Sequence, residues 1–140
     1  MRCSAVLSGV LSCGLSVAAW QGASAEITPN LPTISLRSGE TLEVMDLWYA
    51  INCASQLNSA PLAEVMEGPS EVTVSIKEAM VVPREQDCDK PIGGGKLLFS
   101  AKDVHDYSAS TLTVRITYDT KDGERKPTYS FNIILLPKQD

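Results

Sequence analysis

The stretch LTVRITYDTKDGERKPTYSFNIILL, residues 112–136, decides the fold. Leu112, Val114, Ile116 and Tyr118 alternate with Thr113, Arg115, Thr117 and Asp119, the two-residue period of a strand with one face buried and one face wet. Asp122-Gly123 follows, a pair that tolerates the positive φ angles of a two-residue hairpin turn. Closing the hairpin there sets Lys121 against Glu124 and predicts Ile116 opposite Tyr129, Val114 opposite Phe131 and Leu112 opposite Ile133. All six fall on one face. The other face then pairs Asp119 with Lys126, Thr117 with Thr128 and Arg115 with Ser130. Such cross-strand pairs are each worth a few tenths of a kcal/mol, roughly.

Working back from the hairpin, the same period recurs. Ile34 and Leu36 lie before the turn signal Ser38-Gly39, Leu42 and Val44 lie after it, and Val72, Val74 and Ile76 alternate with Thr73, Ser75 and Lys77. Lys96 to Ala101 reads as a further strand, with either Leu97, Phe99 and Ala101 or Leu98 and Ser100 inward, and Val81-Val82 as a short one before Pro83. About seven strands result. Pro61, Gly68-Pro69, Pro91 and Gly93-Gly94-Gly95 are read as the connections between them. Leu47 to Ile51 and Leu62 to Met66 are the only segments with a turn or two of helical character. The expected architecture is all-β, an antiparallel two-sheet sandwich.

At the other end of the chain, Met1-Arg2, an apolar and small-residue run from Ala5 to Ala19, and Ala23-Ser24-Ala25 have the form of an export leader cleaved after Ala25. The predicted organisation is residues 1–25 as signal peptide and residues 26–140 as one β-sandwich domain, periplasmic or secreted. The leader's apolar run falls short of the roughly 20 residues of a membrane span, and no second run follows it. Val10-Leu11-Ser12-Cys13 loosely resembles a lipobox, whose cysteine would carry lipid.

Of the 12 basic residues Arg2 lies in the leader, which contains no acid, so the domain holds 17 acidic residues against 11 basic ones. That balance disfavours nucleic acid and anionic lipid as partners. The charge itself requires no partner, and the expected function is a non-enzymatic exported module that binds another envelope or extracellular protein or is structural in the envelope. Cys3 and Cys13 leave with the leader, and the surviving pair, Cys53 and Cys88, is expected to form one disulfide in an oxidising compartment. A metal-binding or reactive thiol pair is the competing reading, and it lacks CxxC spacing and has only His105 as an imidazole partner.

The strand pattern, the terminal hairpin Leu112 to Leu136 and the Asp106-Tyr107 pair before it together resemble bacterial immunoglobulin-like and cadherin-like modules. The resemblance implies a seven-strand sandwich, with Tyr107 in the place of the tyrosine corner. It departs from the antibody pattern at Cys88, which falls in a loop, so Cys53–Cys88 is expected to tie loops or strand ends and not to cross the core beside Trp48.

Chemistry-bearing residues are sparse. His105 between Asp103 and Asp106 is the one arrangement suited to general base or metal work, and it defines the alternative of a small hydrolase or metal-dependent enzyme. Asp87 and Asp89, brought near Asp103 and Asp106, would supply carboxylate oxygens for calcium, but the ligand spacing of a calcium loop is missing. Gly93-Gly94-Gly95-Lys96 lacks the remainder of a phosphate-binding loop and reads as a flexible connection. No cofactor is implied. Trp48 is expected in the core, as a sandwich usually buries its tryptophan; exposed beside Tyr49, it would make a binding patch. Pro127, opposite Tyr118 in the expected register, has no N–H to donate and marks a sheet edge, where partners add strands unless the edge is protected.

Overall fold

The computed structural model describes residues 30–139. The leader, the cleavage site after Ala25 and Cys13 lie outside these residues. Ten strands follow one another: β1 Thr33–Arg37, β2 Thr41–Leu47, β3 Ala50–Ile51, β4 Ala54–Ser55, β5 Leu62–Glu67, β6 Val72–Val81, β7 Ile92–Ala101, β8 Ser108–Thr120, β9 Gly123–Arg125 and β10 Thr128–Leu136. A 3-10 turn, Arg84–Gln86, is the helical exception among them.

Eight of the strands make two facing sheets, and β3 and β4 pair with each other as a separate small one. One has the order β2-β7-β6, all antiparallel. In the other, β8 is central. It pairs with β5 along Thr113–Thr117 on one edge, and with β9 and then β10 on the other. β9 and β10 share one register on β8, bridged by the Ile116 N–H donating to the Pro127 carbonyl at 2.9 Å, so they are one strand interrupted at Lys126-Pro127. β1 completes this sheet on the far side of β10 in parallel, Thr33 facing Asn132 through Arg37 facing Leu136, the one pairing that departs from the antiparallel expectation.

The alternating residues supply the core. Leu36, Leu97, Phe99, Leu112, Val114, Ile116, Ile133 and Leu135 are fully buried. Each large aliphatic or aromatic side chain so buried contributes about 1.5–3 kcal/mol relative to exposure. Of the two expected faces of β7, the one bearing Leu97, Phe99 and Ala101 points inward.

The terminal hairpin closes two residues out of its expected register. Positive φ falls on Gly123 alone (113°), so Lys121 and Asp122 form the turn and Thr120 faces Gly123. The Thr120 hydroxyl donates to the Gly123 carbonyl at 2.6 Å and accepts the Asp122 N–H at 3.1 Å, which favours closure one residue earlier. A shift by two preserves every face, whereas a shift by one would have turned the apolar set outward. The pairings change nevertheless: Arg115 faces Thr128, and Asp119 faces Glu124. Their like charges find other partners, Asn58 Nδ2 at 3.1 Å for Asp119 and Lys126 at 3.4 Å for Glu124.

Three further expectations are corrected. Leu62–Glu67 is a strand, not a helical turn; the thirteen-residue β8 offers a second edge, and β5 pairs there with most of its side chains exposed. Val81 ends the long strand β6 and forms no strand of its own. Gly93-Gly94-Gly95 is no flexible connection but part of β7, paired with Met80, Ala79 and Glu78. A Cβ on Gly94 would run into the Leu47 carbonyl and Val81, and one on Gly95 would meet Ile76 Cγ2 at 2.9 Å. The absence of side chains lets the middle strand lie close to its surroundings.

Candidate functional site

β2 ends at the fully buried Leu47, and the chain leaves its sheet as Trp48-Tyr49 before entering the miniature hairpin β3–β4. Its turn is Asn52-Cys53, with φ of 54° and 63°, the pair of positive angles that a two-residue turn of this kind demands. A cysteine rarely adopts that conformation, and a backbone so held stores on the order of 1 kcal/mol or more. What holds it is the disulfide to Cys88, Cα atoms 5.6 Å apart. Cys88 is buried and follows the 3-10 turn and Asp87, itself at φ 58°. As expected, the bridge ties loops and leaves the core to Phe99 and Phe131.

Hydrogen bonds fasten the other side of the miniature hairpin. Gln56 N–H donates to the Tyr49 carbonyl at 2.8 Å, Lys121 N–H to the Gln56 carbonyl at 2.9 Å, Asn58 N–H to the Asp119 carbonyl at 2.8 Å, and the Ser55 hydroxyl to the Gly93 carbonyl at 3.0 Å. Trp48 and Tyr49 are thereby set against the turn end of β8–β9 from two directions. Trp48 is half-buried and not in the core, because the polypeptide has already left the sheet where it occurs.

Between these elements runs a groove of about 530 Å³. Trp48, Tyr49, Tyr118 and Tyr129 form its aromatic walls, and Arg125, Lys126 and Pro127 its rim with Glu124. Four of the seven aromatic residues between positions 30 and 139 meet here. The Arg125 guanidinium carbon stands 4.9 Å from the Tyr49 ring centroid, an attraction between cation and ring face. Burial, and then the neighbouring Tyr129 with its hydrogen bond, pushes the Tyr118 phenol well above its ordinary pKa, so its hydroxyl stays protonated as a donor. The groove is an amphipathic surface of flat rings, phenolic hydroxyls and two cations, suited to binding.

On the far side of Trp48 lies a second hollow of about 490 Å³, lined by Met45, Met80, Arg84 and Lys96 among others. The Lys96 ammonium donates to Asp46 at 2.8 Å and lies 3.7 Å from Glu43; the Asp46 hydrogen bond above all holds it above the usual lysine pKa. Its cation is thus committed within the sheet surface.

The residues singled out for chemistry lie elsewhere. His105, Asp103 and Asp106 are exposed on the β7–β8 connection, while Asp87 and Asp89 are exposed on the β6–β7 connection beside Cys88. These connections leave opposite ends of β7, roughly 30 Å apart for a ten-residue strand. The four aspartates therefore do not converge, and among the described residues no three His, Cys, Asp or Glu side chains gather as a metal site would require. Tyr107, 64% exposed, is not the buried tyrosine of a tyrosine corner.

Sequence reasoning identified the Trp48-Tyr49 pair but missed Tyr118, Tyr129 and Arg125 as its neighbours. The available signal was their position: each lies within about six residues of the hairpin turn, the end to which the cysteine segment had to be tied. A scan against protein-family models finds no match to this chain, and searches of curated proteins and of solved structures likewise find none.

Proposed function

We propose that this chain is an exported, non-enzymatic immunoglobulin-like module that binds another envelope or extracellular protein. The observation that carries this reading is the aromatic groove, held at one end of the sandwich by a disulfide and a set of main-chain hydrogen bonds. Large rings on a rigid frame lose little entropy on binding, and aromatic and arginine side chains are the usual anchors of protein interfaces. The immunoglobulin-like assignment is supported by the strand orders, β2-β7-β6 opposed to β5-β8-β10, which correspond to the B-E-D and C-F-G strands of that architecture. Export to the periplasm or the medium is supported by the form of residues 1–25 and by the disulfide, which persists in oxidising compartments.

The test is in-place capture. A photo-reactive side chain at Lys126, on the groove rim, is expected to trap a defined protein partner in the native host, whereas the same group at Lys102, at the opposite end of the sandwich, is not. Equal capture from both positions, or from neither, refutes the groove as the binding surface.

A further inference from the structure

Beside the groove the sheet has an unfinished edge. The Ile116 N–H to Pro127 carbonyl bond directs the main-chain groups of residues 127, 129 and 131 toward β8, and those of Thr128, Ser130 and Asn132 the other way. Asn132 uses its outward N–H on the Pro32 carbonyl, 2.8 Å, where β1 begins. Continuing that parallel ladder by one step would require the N–H of residue 32 to reach the Ser130 carbonyl, and proline has none. Asn30, at φ 73°, then turns the chain. Among the described residues, β1 therefore stops at Thr33, and the edge at Thr128 and Ser130 is paired with no strand.

The charge beside this edge is opposite to that of the whole. The chain has a formal net charge of −5, and on the rim next to Thr128 Lys126 is paired with Glu124, whereas Arg125 lies over the Tyr49 ring and makes no ion pair among the described residues. An arginine without an ion pair on an otherwise acidic molecule favours a carboxylate of a partner at this place.

We propose that the partner contributes an extended acidic segment, which adds a strand along Thr128–Ser130 where β1 stops. It lays an apolar or aromatic side chain in the Trp48–Tyr129 groove and a carboxylate against Arg125 and Lys126. This rests on the binding reading given above and names the chemistry of what is bound. Main-chain pairing supplies affinity in such additions, and pockets reached by alternate side chains supply specificity. A polypeptide suits the site better than a glycan, because the outward N–H and C=O groups of Thr128 and Ser130 are spaced for another backbone.

The experiment selects octapeptides from a random display library on the biotinylated domain, residues 26–140 with the disulfide intact. The selected peptides are expected to contain Asp or Glu and one large apolar residue. Methylating their backbone nitrogens at alternate positions should weaken binding tenfold or more in one phase and leave it unchanged in the other, since only every second N–H faces the edge. Arg125→Glu, with its melting temperature as a check on folding, should also weaken binding tenfold or more, and added salt should weaken it further. Basic peptides, equal effects of both methylation phases, or dimerisation of the domain through this edge overturn the proposal. If no peptide is selected, or a glycan panel binds instead, strand addition falls; capture from Lys126 then decides separately whether the groove still binds a protein.

Discussion

Phe99 of β7 and Phe131 of β10 meet edge to face across the sandwich, ring centroids 5.1 Å apart and planes at 88°. The contact joins the middle strand of one sheet to an inner strand of the other, which is where cavity formation is least relieved by movement of the surroundings. Phe99→Ala and Phe131→Ala are each expected to cost about 3–5 kcal/mol. The double variant should cost less than the sum by about 0.5–1.5 kcal/mol, the worth of the ring pair itself. Denaturant unfolding of the four proteins measures this; strict additivity would show that the rings act separately.

The disulfide ties Cys53, at φ 63° in the β3–β4 turn, to the buried Cys88. Replacing both partners, Cys53→Ser with Cys88→Ser, is expected to lower stability by about 4 kcal/mol, as the loop-closure model gives for a sequence separation of 35. It should also free the β3–β4 hairpin and with it Trp48, the one tryptophan between positions 30 and 139. Acrylamide quenching of tryptophan fluorescence should therefore rise in the folded variant. Unchanged quenching would mean that the hydrogen bonds to Lys121 and Asp119 suffice to seat the hairpin.

Gly93 and Gly94 are adjacent in β7 but differ in their surroundings. A Cβ at Gly93 has open space, whereas one at Gly94 meets the Leu47 carbonyl and Val81. Gly93→Ala should change stability by less than about 0.5 kcal/mol, and Gly94→Ala should cost about 1–3 kcal/mol or more. Thermal unfolding distinguishes them, and equal effects would contradict the close strand packing described here.

Tyr118 gives the protein an alkaline weakness. Its folded pKa is raised above the unfolded value of about 10, so the stability linked to its neutral phenol is complete below pH 10 and is lost as pH rises through the folded value. Ultraviolet titration should show one tyrosine ionising later than the others, and Tyr118→Phe should remove it and flatten the fall in stability above pH 10. A late phase that survives in Tyr118→Phe would assign it to another tyrosine.

Much of the fold was legible because alternation is a local property. Leu112 to Tyr118 bury the residues that their period marks, whichever partner they meet, whereas Lys96 to Ala101 offered two faces and only the packing of the sheets puts Leu97, Phe99 and Ala101 inside. The turn was less legible: Asp122-Gly123 suits a two-residue hairpin, and only the Thr120 hydroxyl, acting across the turn, selects the closure one residue earlier. Gly93-Gly94-Gly95 read as a connection because glycine disfavours strands taken alone, and the need for close approach to Leu47 and Ile76 exists only once three strands are assembled. Leu62 to Met66 read as a helical turn because its second-edge partner lies some fifty residues onward. The groove was half legible. Trp48-Tyr49 stood out beside Cys53, whereas Tyr118, Arg125 and Tyr129 belong to a hairpin whose register alone reveals which of them meet.

Because β1 and β10 run side by side in the same direction, force applied by pulling the start of one away from the finish of the other would slide the two past each other. The main-chain links from Thr33–Asn132 to Arg37–Leu136 would then share the load together and not open in succession like a zip. That arrangement loads the pair in shear along the length of the domain.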